Sequence, residues 1–269
     1  MTDCVPARDE KYRNLLGALG SMGKALVAFS GGLDSTFLLH SAREALKGEV
    51  LAVTAATEYM PQLEIQEAVS TARAMAVRHV LLEVPFPEEI RDNPPERCYL
   101  CKRSLFTLLK DVAAREGISH VLDGTNLDDL DDYRPGLKAL GELAIESPLL
   151  VAGLTKKDIR DLSREHGLAT WDKPAGACLL SRIPHGTRIE AAELRRIDQA
   201  ESILRDLGFT AVRLRSHGDL ARIEVPRERV AEVVEADRRH GIEARLRALG
   251  YRHVTVDLAG YSMGSLSVR

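Results

Sequence analysis

No apolar stretch in this 269-residue chain approaches the roughly 20 residues that a membrane-spanning helix requires. The first residues, Met1-Thr2-Asp3-Cys4-Val5-Pro6, carry neither the basic nor the apolar region of a secretory signal, so a cytoplasmic location and no membrane partner are expected. A general excess of positive charge is also missing: the net charge is -3, which argues against a nucleic-acid partner. Four cysteines are too few for a disulfide framework in such a setting, and metal binding or catalysis must be weighed first. Repeats and low-complexity tracts are absent. What remains is 45% hydrophobic and 29% charged, the balance of a globular chain large enough for two domains.

Ser30-Gly31-Gly32-Leu33-Asp34-Ser35 stands between an apolar run, Lys24 to Phe29, and a helical pattern that begins at Thr36. Paired glycines let successive backbone N–H groups turn inward. Ser30 and Ser35 add hydroxyls, and the start of a helix adds positive potential, so the turn is a nest for phosphate. The Lys-Ser/Thr ending of a Walker loop is lacking, and Asp34 stands in its place; a carboxylate suits phosphate-bound Mg²⁺ better than bare phosphate. The alternative is an ordinary strand-to-helix turn capped by its serines. This segment resembles the signature of the PP-loop ATP pyrophosphatases, which implies cleavage of ATP to AMP and pyrophosphate.

Strands are predicted at Val50 to Thr54, His79 to Val84 and His120 to Asp123, with helices at Asp9 to Leu19, after Pro61, at Lys102 to Glu116 and at Thr155 to His166. This alternation predicts a doubly wound parallel α/β sheet with its ligand site at the carboxyl ends of the strands, where the nest, Thr54 and Asp123-Gly124 fall. A Pro/Gly-punctuated stretch from Lys173 to Gly186 marks the boundary, giving domains of 1–175 and 176–269. The second is read as a smaller α+β unit: a helix from Glu190 to Leu207, strands at Ala211 to Arg215 and Ala221 to Val225, a helix from Arg227 to Leu249 and a strand at His253 to Leu258. From Arg182 onward there are 16 Arg, no Lys and 13 acidic residues, a mildly cationic part of an acidic chain.

Asp123-Gly124-Thr125-Asn126-Leu127-Asp128-Asp129 leaves a strand end and runs on through Asp131 and Asp132. Carboxylates crowded this closely repel one another unless a cation is shared, and oxygen ligands suit the Mg²⁺ carried by ATP; Asp123 and Asp129 are the candidate ligands. A solvated acidic loop is an equal reading for Asp131 and Asp132. Cys98 and Cys101 are two residues apart, flanked by Arg97, Lys102 and Arg103, and Cys178 lies in the boundary loop; cationic neighbours favour thiolates. Three thiolates suit a structural zinc if His185 completes the set, or a 4Fe-4S cluster with one iron left open. Cys4 is read as a free thiol. Arg213 and Arg215 share one face of a predicted strand, a fork pair suited to phosphate.

Taken with Tyr133-Arg134-Pro135-Gly136 and Pro174-Ala175-Gly176-Ala177-Cys178-Leu179-Leu180-Ser181-Arg182-Ile183-Pro184, these motifs are similar to the LarE family of ATP-dependent sulfur transferases over almost the whole chain. The resemblance implies adenylation of a carboxylate on pyridinium-3,5-biscarboxylic acid mononucleotide, then replacement of AMP by sulfur in nickel-pincer nucleotide synthesis. It implies ATP and nucleotide contacts at Ser30, Gly31, Gly32, Asp34, Ser35, Thr54, Gly124, Thr125 and Asn126. Cys178 is implied as the sulfur-delivering residue, with Asp34 the second catalytic residue. Ser181, Arg182, Arg213 and Arg215 are implied to meet the substrate's phosphate. Some family members sacrifice the sulfur of a single cysteine. The set Cys98, Cys101 and Cys178 matches members thought to hold a 4Fe-4S cluster fed by a sulfide source. A homo-oligomer, a hexamer, is implied by likeness alone. The competing readings are a tRNA thiolase of the PP-loop class, an amide-forming ligase of the NAD synthetase type, and a non-catalytic ATP-binding protein with a structural zinc.

Overall fold

The computed structural model describes residues 7–130, 135–174 and 176–261, so Cys4, Ala175 and the stretch 131–134 that includes Asp131 and Asp132 lie outside it. The chain forms two compact units. The first gathers described residues of 1–57, 62–87 and 96–176; the second gathers 58–61, 88–95 and 177–261.

In the first unit, β1 (Ala25–Ala28), β2 (Val50–Ala56), β3 (Arg78–Glu83) and β4 (His120–Leu122) form one parallel sheet in the order β3-β2-β1-β4. Alternation along β1 explains the two layers of helices. Ala25 and Val27 pack into one core with α1 (Ala7–Gly20), α2 (Leu33–Ala45), α3 (Gln62–Ala74) and α7 (Lys156–Glu165). Leu26, one residue out of phase, joins Leu51, Val53 and Val121 in a second core against α4 (Arg97–Arg115) and α5 (Gly136–Glu142). The sheet is doubly wound, and its strand order reverses between β1 and β4. Ligands of such sheets bind outside the carboxyl ends at that point. A four-residue helix, α6 (Pro148–Val151), follows α5.

The second unit is smaller. It holds α8 (Ala191–Asp206), α9 (Val230–His240), α10 (Ile242–Ala248) and a three-stranded sheet ordered β5 (Arg213–His217), β6 (Leu220–Glu224), β7 (His253–Val256). β5 and β6 are antiparallel, β6 and β7 parallel. No helix among the described residues is long and apolar enough to cross a membrane.

Several boundaries differ from expectation, beginning with α2, which starts at Leu33 rather than Thr36. α4 begins at Arg97, not Lys102: Pro94 and Pro95 bar an earlier start, and nothing in Arg97-Cys98-Tyr99-Leu100-Cys101 resists the first turn, so both cysteines lie inside the helix. The single helix expected from Arg227 to Leu249 is broken. Gly241 adopts φ +61°, a left-handed conformation that ends α9, and α10 restarts after it. The hairpin strands start later and earlier than read because the turn is only Gly218-Asp219, which brings Arg213 opposite Glu224.

Candidate active site

The nest leaves the carboxyl end of β1 and the acidic loop leaves that of β4, its hydrogen-bonded neighbour, with Val27 paired to Leu122. The two constellations therefore meet at the switch point. Contact is close: a Cβ on Gly124 would stand 3.1 Å from the Ser35 amide nitrogen. Gly31 has φ +67°, and a Cβ there would lie 2.8 Å from the Ala68 Cα on α3, so both conformation and space demand glycine. The hydroxyls of Ser30 and Ser35 are 3.0 Å apart, and the Gly32 amide donates to Ser30 Oγ at 3.4 Å. No side chain caps α2 at Gly32. Its first turn thus presents N–H groups outward, as an anion requires.

Asp34 stands in that first turn with its Oδ1 buried and without a hydrogen-bond partner. Burial pushes its carboxyl above the ordinary range; Lys156 pulls it back, Asp129 pushes it up, and Arg160 and the Asn126 amide pull it down. A desolvated carboxylate oxygen with an unused lone pair, beside a second carboxylate, is the donor chemistry a hard divalent cation satisfies. The residues therefore fit Mg²⁺. In the acidic loop, Asp123 accepts from Ser147 Oγ at 2.5 Å and Thr125 Oγ1 at 2.6 Å, with Lys102 Nζ at 3.8 Å. Asp129 Oδ2 accepts the Asn126 amide at 3.1 Å, and its Oδ1 is 3.7 Å from Lys156 Nζ. Asp128 caps α7 by accepting the Lys156 amide at 2.9 Å.

Thr54 is buried, and its hydroxyl donates to the Phe29 carbonyl at 2.7 Å. His79 Nε2 lies 2.9 Å from the same hydroxyl. Since the hydroxyl's one proton is already used, Nε2 is the donor, and Thr54 serves to fix the loop entering the nest. Burial lowers the proton affinity of His79, consistent with its neutral form.

Several residues here carried no local signal. Lys173 Nζ donates to the Gly31 carbonyl at 2.9 Å and to Glu67 at 2.7 Å, bracing the nest from 142 positions away. Arg160 donates to the carbonyls of Trp171 and Lys173. Lys156 had one indirect marker, the capping box of Thr155 and Asp158 that starts α7.

Cys98 and Cys101 sit in the first turn of α4 in the first unit; Cys98 is exposed and neither is in a disulfide. A spacing of three puts them on one face of the helix. Cys178, also outside any disulfide, belongs to the second unit and immediately precedes the 3-10 turn Leu179–Arg182. That loop is clamped. Arg182, 1% exposed, pairs through Nε and Nη2 with both oxygens of Glu201, which is 0% exposed. Its Nη1 donates to the carbonyls of Ala177 (2.7 Å) and Cys178 (3.0 Å) and to Ser181 Oγ (2.9 Å). Arg215 pairs with buried Glu224 and donates to the Ser181 carbonyl at 2.7 Å. Asn93, in a left-handed conformation, holds the loop's far side through the carbonyls of Ile183 and Pro184. His185 Nδ1 lies 3.3 Å from the Asn93 carbonyl. Of the four residues read as phosphate contacts, Arg182 and Arg215 are neutralised internally, while Ser181 and Arg213 remain half-exposed.

A family profile described as queuosine biosynthesis protein QueC matches residues 24–95, which include the nest. The chain is 38% identical over 260 residues to the pyridinium-3,5-bisthiocarboxylic acid mononucleotide synthase of Lactiplantibacillus plantarum, covering 96% of this chain and 94% of that protein. It is 38% identical over 262 residues to an uncharacterised protein of Synechocystis sp., covering 96% and 97%. An uncharacterised protein of Methanocaldococcus jannaschii is 30% identical over 251 residues, covering 93% and 96%. With a nest, an acidic loop and a cysteine loop built as above, and similarity running nearly end to end, the chain belongs to the LarE family of ATP-dependent sulfur transferases.

Proposed function

We propose that this protein converts carboxylates of a pyridinium mononucleotide into thiocarboxylates, the product class named for its Lactiplantibacillus relative. The observation that carries the reading is the unpartnered Oδ1 of Asp34, buried at the positive end of α2 beside Asp129. A substrate carboxylate oxygen attacks the α-phosphorus of ATP, the bond to the β-phosphate oxygen breaks, and pyrophosphate leaves with its electron pair. Amides of the Gly31-Gly32 turn and the hydroxyls of Ser30 and Ser35 receive that anion, and Asp34, Asp129 and Asp123 would hold a Mg²⁺ that offsets its charge. Gly124, Thr125 and Asn126 frame the nucleotide, and Thr54 keeps the loop in place. Activation is needed because oxide is a poor leaving group and AMP a good one.

Sulfur then adds to the acyl carbon and AMP departs. Cys178 delivers it, on a loop that Arg182 and Arg215 hold rigid; Ser181 and Arg213 meet the substrate's phosphate. Three cysteines outside any disulfide, two of them on one helix face, are the donor set of a 4Fe-4S cluster, and Cys98, Cys101 and Cys178 would hold it. When bound, such a cluster supplies a labile sulfide and spares the cysteine's own sulfur. Self-association as a hexamer belongs to the same proposal.

The test is anaerobic protein, analysed for iron and acid-labile sulfide, then given ATP, the dicarboxylate mononucleotide and sulfide. Pyrophosphate release, more than one thiocarboxylate per chain and an unchanged protein mass support the reading. Stoichiometric zinc without iron overturns the cluster, and a protein lighter by one H₂S after a single turnover overturns sulfide recycling.

A further inference from the structure

At the opposite end of α2 from Asp34 lies a group the sulfur-transfer reading does not use. His40 and Glu44 are one helical turn apart on α2, and His166 closes α7 as its C-cap. Ten residues separate Asp34 from Glu44, about 15 Å along the helix axis. His40 Nε2 and His166 Nδ1 face each other at 3.3 Å, and His40 Nε2 is 3.8 Å from Glu44 Oε2. All three ligand atoms lie within 4.8 Å of one another. Nitrogen ligands of a tetrahedral zinc, at bonds of about 2.0–2.1 Å, stand about 3.3 Å apart.

From this geometry we propose that His40, Glu44 and His166 form a binding site for a borderline divalent metal ion of the zinc class, with the remaining positions open to solvent. Two imidazoles and one carboxylate are a donor set such ions prefer over Mg²⁺ or Ca²⁺. Outer contacts orient the ligands: Tyr12 Oη donates to Glu44 Oε2 at 2.9 Å, and its ring lies 5.1 Å from that of His166. The carboxyl ends of α2 and α7 both point here, and their partial negative charge offsets the cations Arg43 and Lys47 that line the same hollow. A metal at this point would fasten α7, which carries Lys156 and Arg160, to α2, which carries Asp34.

The cysteines could also take zinc, so the probe must tell nitrogen from sulfur. Metal-free full-length protein is titrated anaerobically with Co²⁺ and followed by absorption, then with Zn²⁺ by calorimetry and thermal unfolding. Thiolate sites give intense near-ultraviolet charge-transfer bands; a His-His-Glu site gives only weak visible bands. We expect one equivalent of the weak-band species, displaced by Zn²⁺ with a rise in Tm. His166→Ala should abolish both, and Glu44→Gln, an exposed change that leaves folding intact, should weaken binding at least tenfold. Bands of thiolate type alone, or a stoichiometry and Tm rise unchanged in both variants, overturn the site without touching the sulfur-transfer reading.

Discussion

At the scale of single residues, two buried carboxylates are defined by what their neighbours fail to satisfy or over-satisfy. Asp34 is the first case. Its charge is disfavoured by burial and by Asp129, so replacing it with a neutral amide of the same shape relieves the ligand-free protein while removing the cation's ligand. Asp34→Asn is expected to lower ATP-dependent pyrophosphate release by at least about a hundredfold while Tm, measured without Mg²⁺, stays level or rises. A lower Tm, or normal release, would show that the carboxylate is structural. Glu201 is the reverse case. Burial alone would raise its pKa, but Arg182 and the Leu214 amide outweigh it and hold the carboxyl below its ordinary range. A depressed pKa means stability that is complete above the unfolded value, about 4.3, and is lost as pH falls through the folded one. Glu201→Gln should therefore cost about 3–5 kcal/mol near neutrality and flatten the acid limb of stability in urea unfolding from neutral pH downward. An unchanged acid limb would rule the pair out as its source.

Among elements, two glycines with nearly the same backbone angle separate strain from space. Gly31 and Gly241 have φ of +67° and +61°, but only Gly31 has a neighbour where a Cβ would stand; at Gly241 nothing lies within 4 Å. Gly241→Ala should cost about 1–2 kcal/mol, the left-handed penalty alone. Gly31→Ala should cost more, because the Ala68 backbone of α3 must retreat, and should weaken ATP binding as the nest opens. Denaturant midpoints and ATP affinity of the two variants check this; equal losses would mean that the contact with α3 carries no weight. The element boundaries also show what local pattern reveals. Apolar alternation and the Gly-Gly turn place β1 and the turn into α2 because those signals are confined to a dozen residues, although α2 starts at Leu33 rather than Thr36. The start of α4 is set by Pro95, which marks where a helix can begin, rather than by the cationic pair that follows Cys101.

For the molecule as a whole, the proposed activation and delivery residues fall in different units: the nest belongs to the first and Cys178 to the second. Cys178→Ala should therefore leave ATP- and substrate-dependent pyrophosphate release within about twofold while stopping thiocarboxylate formation. Assaying both products on the same preparation checks it, and thiocarboxylate made by the variant would remove the residue's assigned role. The chain reaches this arrangement by interleaving: residues 58–61 and 88–95 group with the second unit although 62–87 belong to the first. Composition and turn signals are silent on such brief excursions, which only packing defines.

Residue order alone was enough for features whose cause is local. A Gly-Gly turn follows from paired glycines between a strand and a helix, and a parallel sheet from alternating apolar runs; the helix face that Cys98 and Cys101 share emerges only because α4 starts at Arg97. Folding decided the partners. Lys173 reaches Gly31 across 142 positions, Lys156 and Arg160 set the charge around Asp34, and Arg182 and Arg215, read as phosphate ligands, are spent on Glu201 and Glu224. The physical reason is that a buried charge must be compensated by whatever group the fold delivers within hydrogen-bond distance, and that distance in space leaves no trace in the spacing along the chain.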